Sequence, residues 1–223
     1  MAVGVCLFLR LRRRAVAGGQ RKPVVLGLAG GIGAGKSTVA RILHDRGARV
    51  IDSDRLNHEQ LADPEVIATL TDWYGAGICD RDGKVRPRAL ADLIFRDPRQ
   101  RARVEALLHP RIERRRRELV EQYLGAPDTR LIVLDSPLLY EAGLDHLCDA
   151  VVFVDAPPEA RRQRVTQERG WSDGELERRE KSQKPLDTKR GKADYIIVNS
   201  SGLEDLCARV EKLLSDVLAQ APD

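Results

Sequence analysis

Aromatic side chains are scarce in this chain, with 2 Trp, 4 Tyr and 3 Phe among 223 residues. Single-stranded nucleic acids are held on surfaces where rings alternate with cations, and a chain that is 4% aromatic shows no such interleaved platform. Cysteine is equally sparse. Cys6, Cys79, Cys148 and Cys207 stand far apart without a CxxC pair, so neither a zinc site nor a disulfide framework is suggested, and a reducing compartment is expected. Long apolar runs are missing near the start. Ala2 to Leu9 is too short to span a bilayer and precedes its arginines, whereas a secretory signal would follow them.

Acids are absent from residues 1–22, which carry Arg10, Arg12, Arg13, Arg14, Arg21 and Lys22. The whole chain has a formal charge of +4, yet from Pro23 onward 32 basic side chains face 34 acidic ones. The basic excess therefore belongs to the first 22 residues. They are expected to form a disordered tail, with an organelle-targeting segment and a contact to an anionic surface as the open alternatives. The remainder, in a chain 42% hydrophobic and 32% charged, is long enough for one α/β core with inserted lobes.

Strand and helix patterns alternate along that core. Val24 to Ala29 is an apolar run closed by glycines, and Ser37 to Arg46 follows with Val39, Ala40, Ile42 and Leu43 at helical spacing. Arg49 to Ile51, Leu131 to Leu134, Val151 to Val154 and Tyr195 to Val198 are further β-branched runs ending in polar or turn residues. Five strands separated by helices predict a parallel, doubly wound sheet. Two stretches interrupt the alternation. Residues 55–125 are helix-like without a core strand, too long for a crossover, and predict an inserted helical lobe. Residues 157–192 are rich in Arg, Lys, Glu and Gln and predict a mobile charged arm, leaving a core of 23–54, 126–156 and 193–223. In the last segment Leu203, Leu206, Val210, Leu213, Leu214 and Val217 share a helical face expected to pack on the sheet.

Gly30-Gly31-Ile32-Gly33-Ala34-Gly35-Lys36-Ser37 fits G-x-x-x-x-G-K-[ST] between a strand and a helix that continues with Thr38. In that context glycines let the backbone form a nest whose N–H groups face phosphate oxygens, aided by the positive end of the helix. Lys36 supplies a mobile charge to the β and γ phosphates, and Ser37 a hydroxyl to Mg2+. A plain glycine-rich turn has no need of the Lys-Ser pair. The GTPase motif N-K-x-D is absent and no long partner-binding region of an ATPase motor is visible, which favours a small-molecule kinase.

Carboxylates surround this loop in the sequence pattern. Asp52-Ser53-Asp54 ends a strand, and the carboxyl ends of parallel strands line the ligand crevice. Asp54 is expected to orient the acceptor hydroxyl and take its proton, with Asp52 as a helper on the substrate or metal side. The alternative is that one of the two caps the following helix. Asp135 ends the Leu131 to Leu134 run and either meets Mg2+ through water or caps a loop. His109 is either a ligand contact across the cleft or a structural hydrogen-bond partner. In the arm most of the cations should form a solvated face, while Arg164 is the first choice to screen the transferring phosphoryl group.

Gly27 to Ala40, Asp52-Ser53-Asp54, Leu107-Leu108-His109-Pro110, Pro137-Leu138-Leu139-Tyr140-Glu141, Ser182-Gln183, Ala193-Asp194 and Asn199 together resemble the dephospho-CoA kinase family, over about residues 24–218. The resemblance implies a P-loop NTPase core with a five-stranded parallel sheet, a helical CoA-binding lobe and a helical lid. It implies transfer of the ATP γ-phosphoryl group to the 3′-hydroxyl of dephospho-CoA, the last step of coenzyme A synthesis, with Mg2+. By the match Asp54 is the acceptor-side acid, Lys36, Ser37 and Arg164 serve the nucleotide, His109, Leu138 and Glu141 line the acceptor side, and Asn199 lies near the adenine. The chain departs from the family where many members read Arg-Asp-Gly in the lid and it reads Glu168-Arg169-Gly170-Trp171, which leaves open the register of a second lid arginine beside Arg164. Residues 1–22 have no counterpart. The expected setting is a cytoplasmic monomer or weak homo-oligomer without nucleic acid or membrane. The competing readings are a P-loop kinase for a nucleoside, nucleotide or sugar acceptor, and a nucleotide-gated nucleic-acid-binding module.

Overall fold

Val24–Gly30 forms the first strand, β1, and all seven of its residues are buried, the signature of a strand covered on both faces. The computed structural model describes residues 22–220, so the tail expected of residues 1–22 lies, Lys22 excepted, outside the described residues. After β1 come α1 (Lys36–Asp45), β2 (Arg49–Asp52), α2 (Ser53–Leu61), α3 (Pro64–Tyr74), α4 (Pro87–Arg96) and α5 (Pro98–Leu124). Then follow β3 (Leu131–Asp135), β4 (Ala150–Asp155), α6 (Pro158–Arg169), α7 (Asp173–Lys181), α8 (Leu186–Lys192), β5 (Tyr195–Val198) and α9 (Leu203–Ala219).

The strands form one sheet in the order β2-β3-β1-β4-β5, with β1 in parallel register beside both β3 and β4, and β4 beside β5. The parallel five-stranded sheet expected from the apolar runs is therefore present. The connections that leave the adjacent strands β1 and β3 run in opposite directions along the sheet, to β2 and to β4, the arrangement that opens a crevice at the carboxyl ends of the strands. Two aspartates pin the strand starts. Asp149 donates its N–H to the Val25 carbonyl and accepts the Val25 N–H on Oδ2, both at 2.8 Å, and Asp194 makes the same two-way contact with Val151. Such side-chain caps satisfy backbone groups that the ladder leaves over.

The described residues fold as two compact units, 22–51 with 122–220 and Asp52–Glu121. In the first, Val39, Ala40, Ile42 and Leu43 of α1 and Leu206, Val210, Leu213 and Val217 of α9 share one core with the sheet. Leu203, expected on that buried face, is instead 56% exposed. It opens α9, and the packed stripe begins at the next turn with Leu206. The arm residues form α6, α7 and α8, and two of their cations, Arg161 and Lys189, are buried rather than solvated.

The second unit holds its own small core of Leu61, Val66, Leu70, Ile78, Val85, Leu90, Val104 and Leu108. Its helices start on sequence signals that the chain displays openly. Asp63 accepts the N–H groups of Glu65 and Val66 on Oδ1 and Pro64 occupies the first turn, so α3 has both a cap and a residue with no amide to satisfy. Arg111 of α5 donates to Glu65 at 2.7 Å and ties the long helix to that start.

Candidate active site

Residues 31–35 link β1 to α1, and Gly33 and Gly35 adopt φ of +73° and +94°, conformations that side-chain-bearing residues rarely take. Gly35 is the residue before α1, so Lys36, Ser37 and Thr38 form the helix's first turn. No acid stands in that turn, and the first N–H groups with their partial positive charge remain suited to an anion. Lys36 folds back over the loop, its Nζ donating to the carbonyls of Gly30 at 3.2 Å and Gly31 at 3.0 Å.

The outer side of the loop is braced from two elements. Arg164 of α6 donates through Nη1 to the carbonyls of Gly33 at 3.2 Å and Ala34 at 3.4 Å, and through Nη2 to the carbonyl and side-chain oxygens of Asn199. Asn199, just beyond β5, is buried and donates Nδ2 to the Ala34 carbonyl at 2.8 Å. The structure thus brings Arg164 and Asn199 to the phosphate loop and to each other. Asn199 acts there as a brace, its amide turned toward the loop.

Asp52 and Asp54 are separated by duty. Asp52 is the cap of α2, accepting the N–H groups of Asp54 at 2.8 Å and Arg55 at 3.1 Å on Oδ1. The capping alternative therefore applies to Asp52, expected among substrate-side residues, and leaves the Asp54 carboxylate out of the cap. Asp54 is exposed in the first turn of α2, two residues beyond the end of β2. His58 donates from Nδ1 to the Asp54 carbonyl at 2.7 Å, since a carbonyl only accepts.

Asp135 ends β3, buried, in register with Leu28 of β1. Its carboxylate and the exposed hydroxyl of Ser37 are oxygen donors of the hard type Mg2+ prefers. Among the described residues no three His, Cys, Asp or Glu side chains gather as a metal cage. That donor set fits an ion carried mainly by substrate phosphates with one or two protein oxygens.

Glu141 was expected at the acceptor side, and the structure shows its Oε1 occupied internally. Buried Lys189 donates to it at 2.7 Å and the Lys184 backbone N–H at 2.8 Å. Burial pushes this carboxyl up, but the Lys189 ammonium and the Lys184 amide together hold it below its ordinary value. Gln183 accepts from the same Lys189 Nζ at 2.9 Å, and Lys184 Nζ donates to the Tyr140 carbonyl. Leu138 is 42% exposed within the same segment. His109 lies exposed on α5 beside Pro110, which interrupts that helix's amide ladder.

Two arm cations counted with the solvated face, Arg161 and Lys189, are buried and paired instead. Arg161 stands one turn before Arg164 on α6, a spacing that places both on one helix face and could have flagged it. Lys189 had no distinguishing signal among the lysines of the arm. Arg169, a candidate second lid arginine, instead lies over the Trp171 ring at 5.1 Å, with Arg179 over the same ring at 4.0 Å.

A family model described as dephospho-CoA kinase matches residues 24–205. The chain is 38% identical over 194 residues to the dephospho-CoA kinase of Anaeromyxobacter dehalogenans, covering 86% of this chain and 92% of that one. It is 40% identical over 193 residues to that of Parasynechococcus marenigrum, covering 84% and 93%. Among solved structures it resembles TT1252 from Thermus thermophilus, with a TM-score of 0.74 and 35% identity over 91% of this chain and 100% of that one. Dephospho-CoA kinase from Campylobacter jejuni shares the fold at a TM-score of 0.67 and 23% identity, over 87% of this chain and 97% of that one.

Proposed function

The chain belongs to the dephospho-CoA kinase family, and we propose that it performs the family's reaction with Lys36, the loop amides and Arg164 on the nucleotide and Asp54 on the acceptor. It is an ATP-dependent kinase that phosphorylates the 3′-hydroxyl of dephospho-CoA, giving CoA and ADP, the final step of coenzyme A biosynthesis. The observation that carries the division of roles is the loop itself. Lys36 curls over left-handed Gly33 and Gly35 at the start of a helix without acids in its first turn.

In the transfer, the 3′-oxygen forms a bond to the γ-phosphorus as the bond to the β,γ-bridging oxygen breaks, and ADP departs with that oxygen. The hydroxyl proton passes to the Asp54 carboxylate late in the step. Lys36 Nζ, now resting on two carbonyls 3.0–3.2 Å away, exchanges them for phosphate oxygens. Ser37 and, through water, Asp135 would hold Mg2+, which when bound would offset phosphate charge. Asp52 orders the turn that presents Asp54, and Asn199 keeps the outer loop wall in place. His109, Leu138 and Glu141 are assigned to the acceptor side, Glu141 by holding the segment that exposes Leu138. The lobe is taken as residues 55–125 and the lid as 157–192. Among the described residues no helix is long and apolar enough to cross a membrane. The proposed setting is a cytoplasmic monomer or weak homo-oligomer.

Purified protein with Mg-ATP should convert dephospho-CoA to CoA with stoichiometric ADP, in preference to nucleoside, nucleotide and sugar acceptors. Asp54→Asn should lower kcat about a hundredfold to ten-thousandfold with little change in KM for ATP, the range expected for a lost general base. Lys36→Ala should damage both constants. Turnover of Asp54→Asn close to the parent's would remove Asp54 from the proton path.

A further inference from the structure

From the packing of α6 on the phosphate loop, we propose that Arg161, held by Glu180, is the second lid arginine at the loop and sets the orientation of the Gly33 peptide for nucleotide binding. The inference rests on the kinase reading and adds a positioning residue that neither the motif nor the resemblance supplies.

Arg161 is only 8% exposed, and both its backbone and its side chain abut the loop. Its carbonyl oxygen lies 2.7 Å from where a Cβ on Gly33 would be, and its Nη1 2.8 Å from where one on Gly31 would be. Glycine at 33 lets the α6 backbone come so near, and glycine at 31 leaves room for the Arg161 guanidinium. Nη1 reaches the Ile32 carbonyl at a long 3.5 Å. One turn later, Arg164 Nη1 takes the carbonyls of Gly33 and Ala34. Three consecutive loop carbonyls, those of Ile32, Gly33 and Ala34, are thus drawn toward one helix by two arginines.

That has a consequence for the opposite side of the loop. In a planar trans peptide the carbonyl and the following N–H point in opposite directions. Drawing the Ile32 and Ala34 carbonyls toward α6 therefore turns the Gly33 and Gly35 N–H groups away from it. The intervening Ala34 N–H is already used, donating to the Gly31 carbonyl at 3.2 Å. That leaves the Gly33 and Gly35 amides, together with those that open α1, turned to where phosphate oxygens would lie. Arg164 governs the second of them, and Arg161 the first.

A buried guanidinium needs a counter-charge, and Glu180 near the end of α7 provides it by an ion pair to the same Nη1. Arg161 Nε has no hydrogen-bond partner among the described residues, which makes that pairing more important to its position. The pair also ties α7 to the loop. Arg169 is engaged with Trp171, so the loop-side role left open by Glu168 falls to an arginine earlier on the helix.

The test uses the full-length enzyme with Arg161→Met, Arg161→Lys and the double variant Arg161→Met/Glu180→Met. Each is measured for thermal midpoint, ADP dissociation constant by calorimetry, and kcat and KM for both substrates. Arg161→Met should raise KM for ATP and weaken ADP about tenfold to a hundredfold, the factor of a lost charge-assisted hydrogen bond. KM for dephospho-CoA should stay within about twofold of the parent's, since the peptide it orients faces the nucleotide. Arg161→Lys should recover part of the loss. The double variant removes both charges, so its thermal midpoint should return toward the parent's while its ADP affinity stays weak. If that variant regained parental ADP affinity, the pair would be cement for the fold alone and the proposal would fail. Should Arg161→Met not fold, the double variant decides by the same two readouts. Dephospho-CoA turnover by the parent enzyme tests the kinase reading separately.

Discussion

Replacing Lys189 by Met would strand a buried carboxylate. Lys189 has a 2% exposed side chain and holds Glu141, itself 17% exposed, at 2.7 Å, with Gln183 as a second acceptor. Removing one member of such a pair leaves an uncompensated buried charge and costs about 3–5 kcal/mol. For a chain of this size that is a fall of about 6–20 °C in thermal midpoint, at about 2–4 °C per kcal/mol. The pH dependence gives a sharper readout. In the parent the Glu141 carboxyl lies below its ordinary value of 4.5, so its contribution is present above that pH and is lost as pH falls through the folded-state value. In Lys189→Met, burial acts without the ammonium and raises the carboxyl. Acidification then protonates the stranded group and should relieve the variant, shrinking its deficit relative to the parent between pH 7 and pH 4. The double variant Lys189→Met/Glu141→Met should recover all but about 1 kcal/mol, the Lys184 amide having lost its acceptor. Urea denaturation followed by circular dichroism at several pH values measures each quantity. A deficit under about 1 kcal/mol, or one that does not change with pH, would refute the assignment of a buried, mutually dependent pair.

Gly33→Ala should lose ADP-induced thermal stabilisation and lower the midpoint itself, because the new Cβ sits 2.7 Å from the Arg161 carbonyl on a backbone with φ of +73°. A melt of the variant with and without ADP checks this, and a full ADP shift would contradict it. Burial, followed by the nearby Asp145, Asp149 and Asp194, pushes the Cys148 thiol up to about 12. Iodoacetamide at pH 8 should therefore modify half-buried Cys79 and Cys207 in the native protein and spare Cys148, as peptide mass spectrometry would show. The raised thiol also predicts that its contribution to stability falls as pH climbs from 9.0 toward 12, since the unfolded chain ionises first.

The parts of this enzyme that rest on local chemistry could be read along the chain. Val24–Gly30 is apolar throughout because a central parallel strand is covered on both faces, and the Gly-Lys-Ser turn must follow it for the amides and the ammonium to converge. Even the ambiguity at Asp52 and Asp54 was local, and one turn of α2 resolved it. A cap must precede its helix, so the first acid took the N–H groups and the second was left beyond them.

What the tertiary structure alone decided concerns partners far apart in sequence. Helical spacing put Arg161 and Arg164 on the same face, yet nothing local said that the face meets Ile32, Gly33 and Ala34, about 130 residues earlier. Arm cations at Arg161 and Lys189 looked no different from their solvated neighbours, because burial of a charge depends on a counter-charge delivered by another segment. Glu180 and Glu141 deliver it only once α7 and α8 have folded back on the core. Composition and spacing therefore marked a small-molecule kinase and its phosphate loop, and the resemblance of the ordered motifs supplied the acceptor. Which arginine steadies that loop, and which lysine locks the arm, depended on long-range electrostatic pairing that no local pattern encodes.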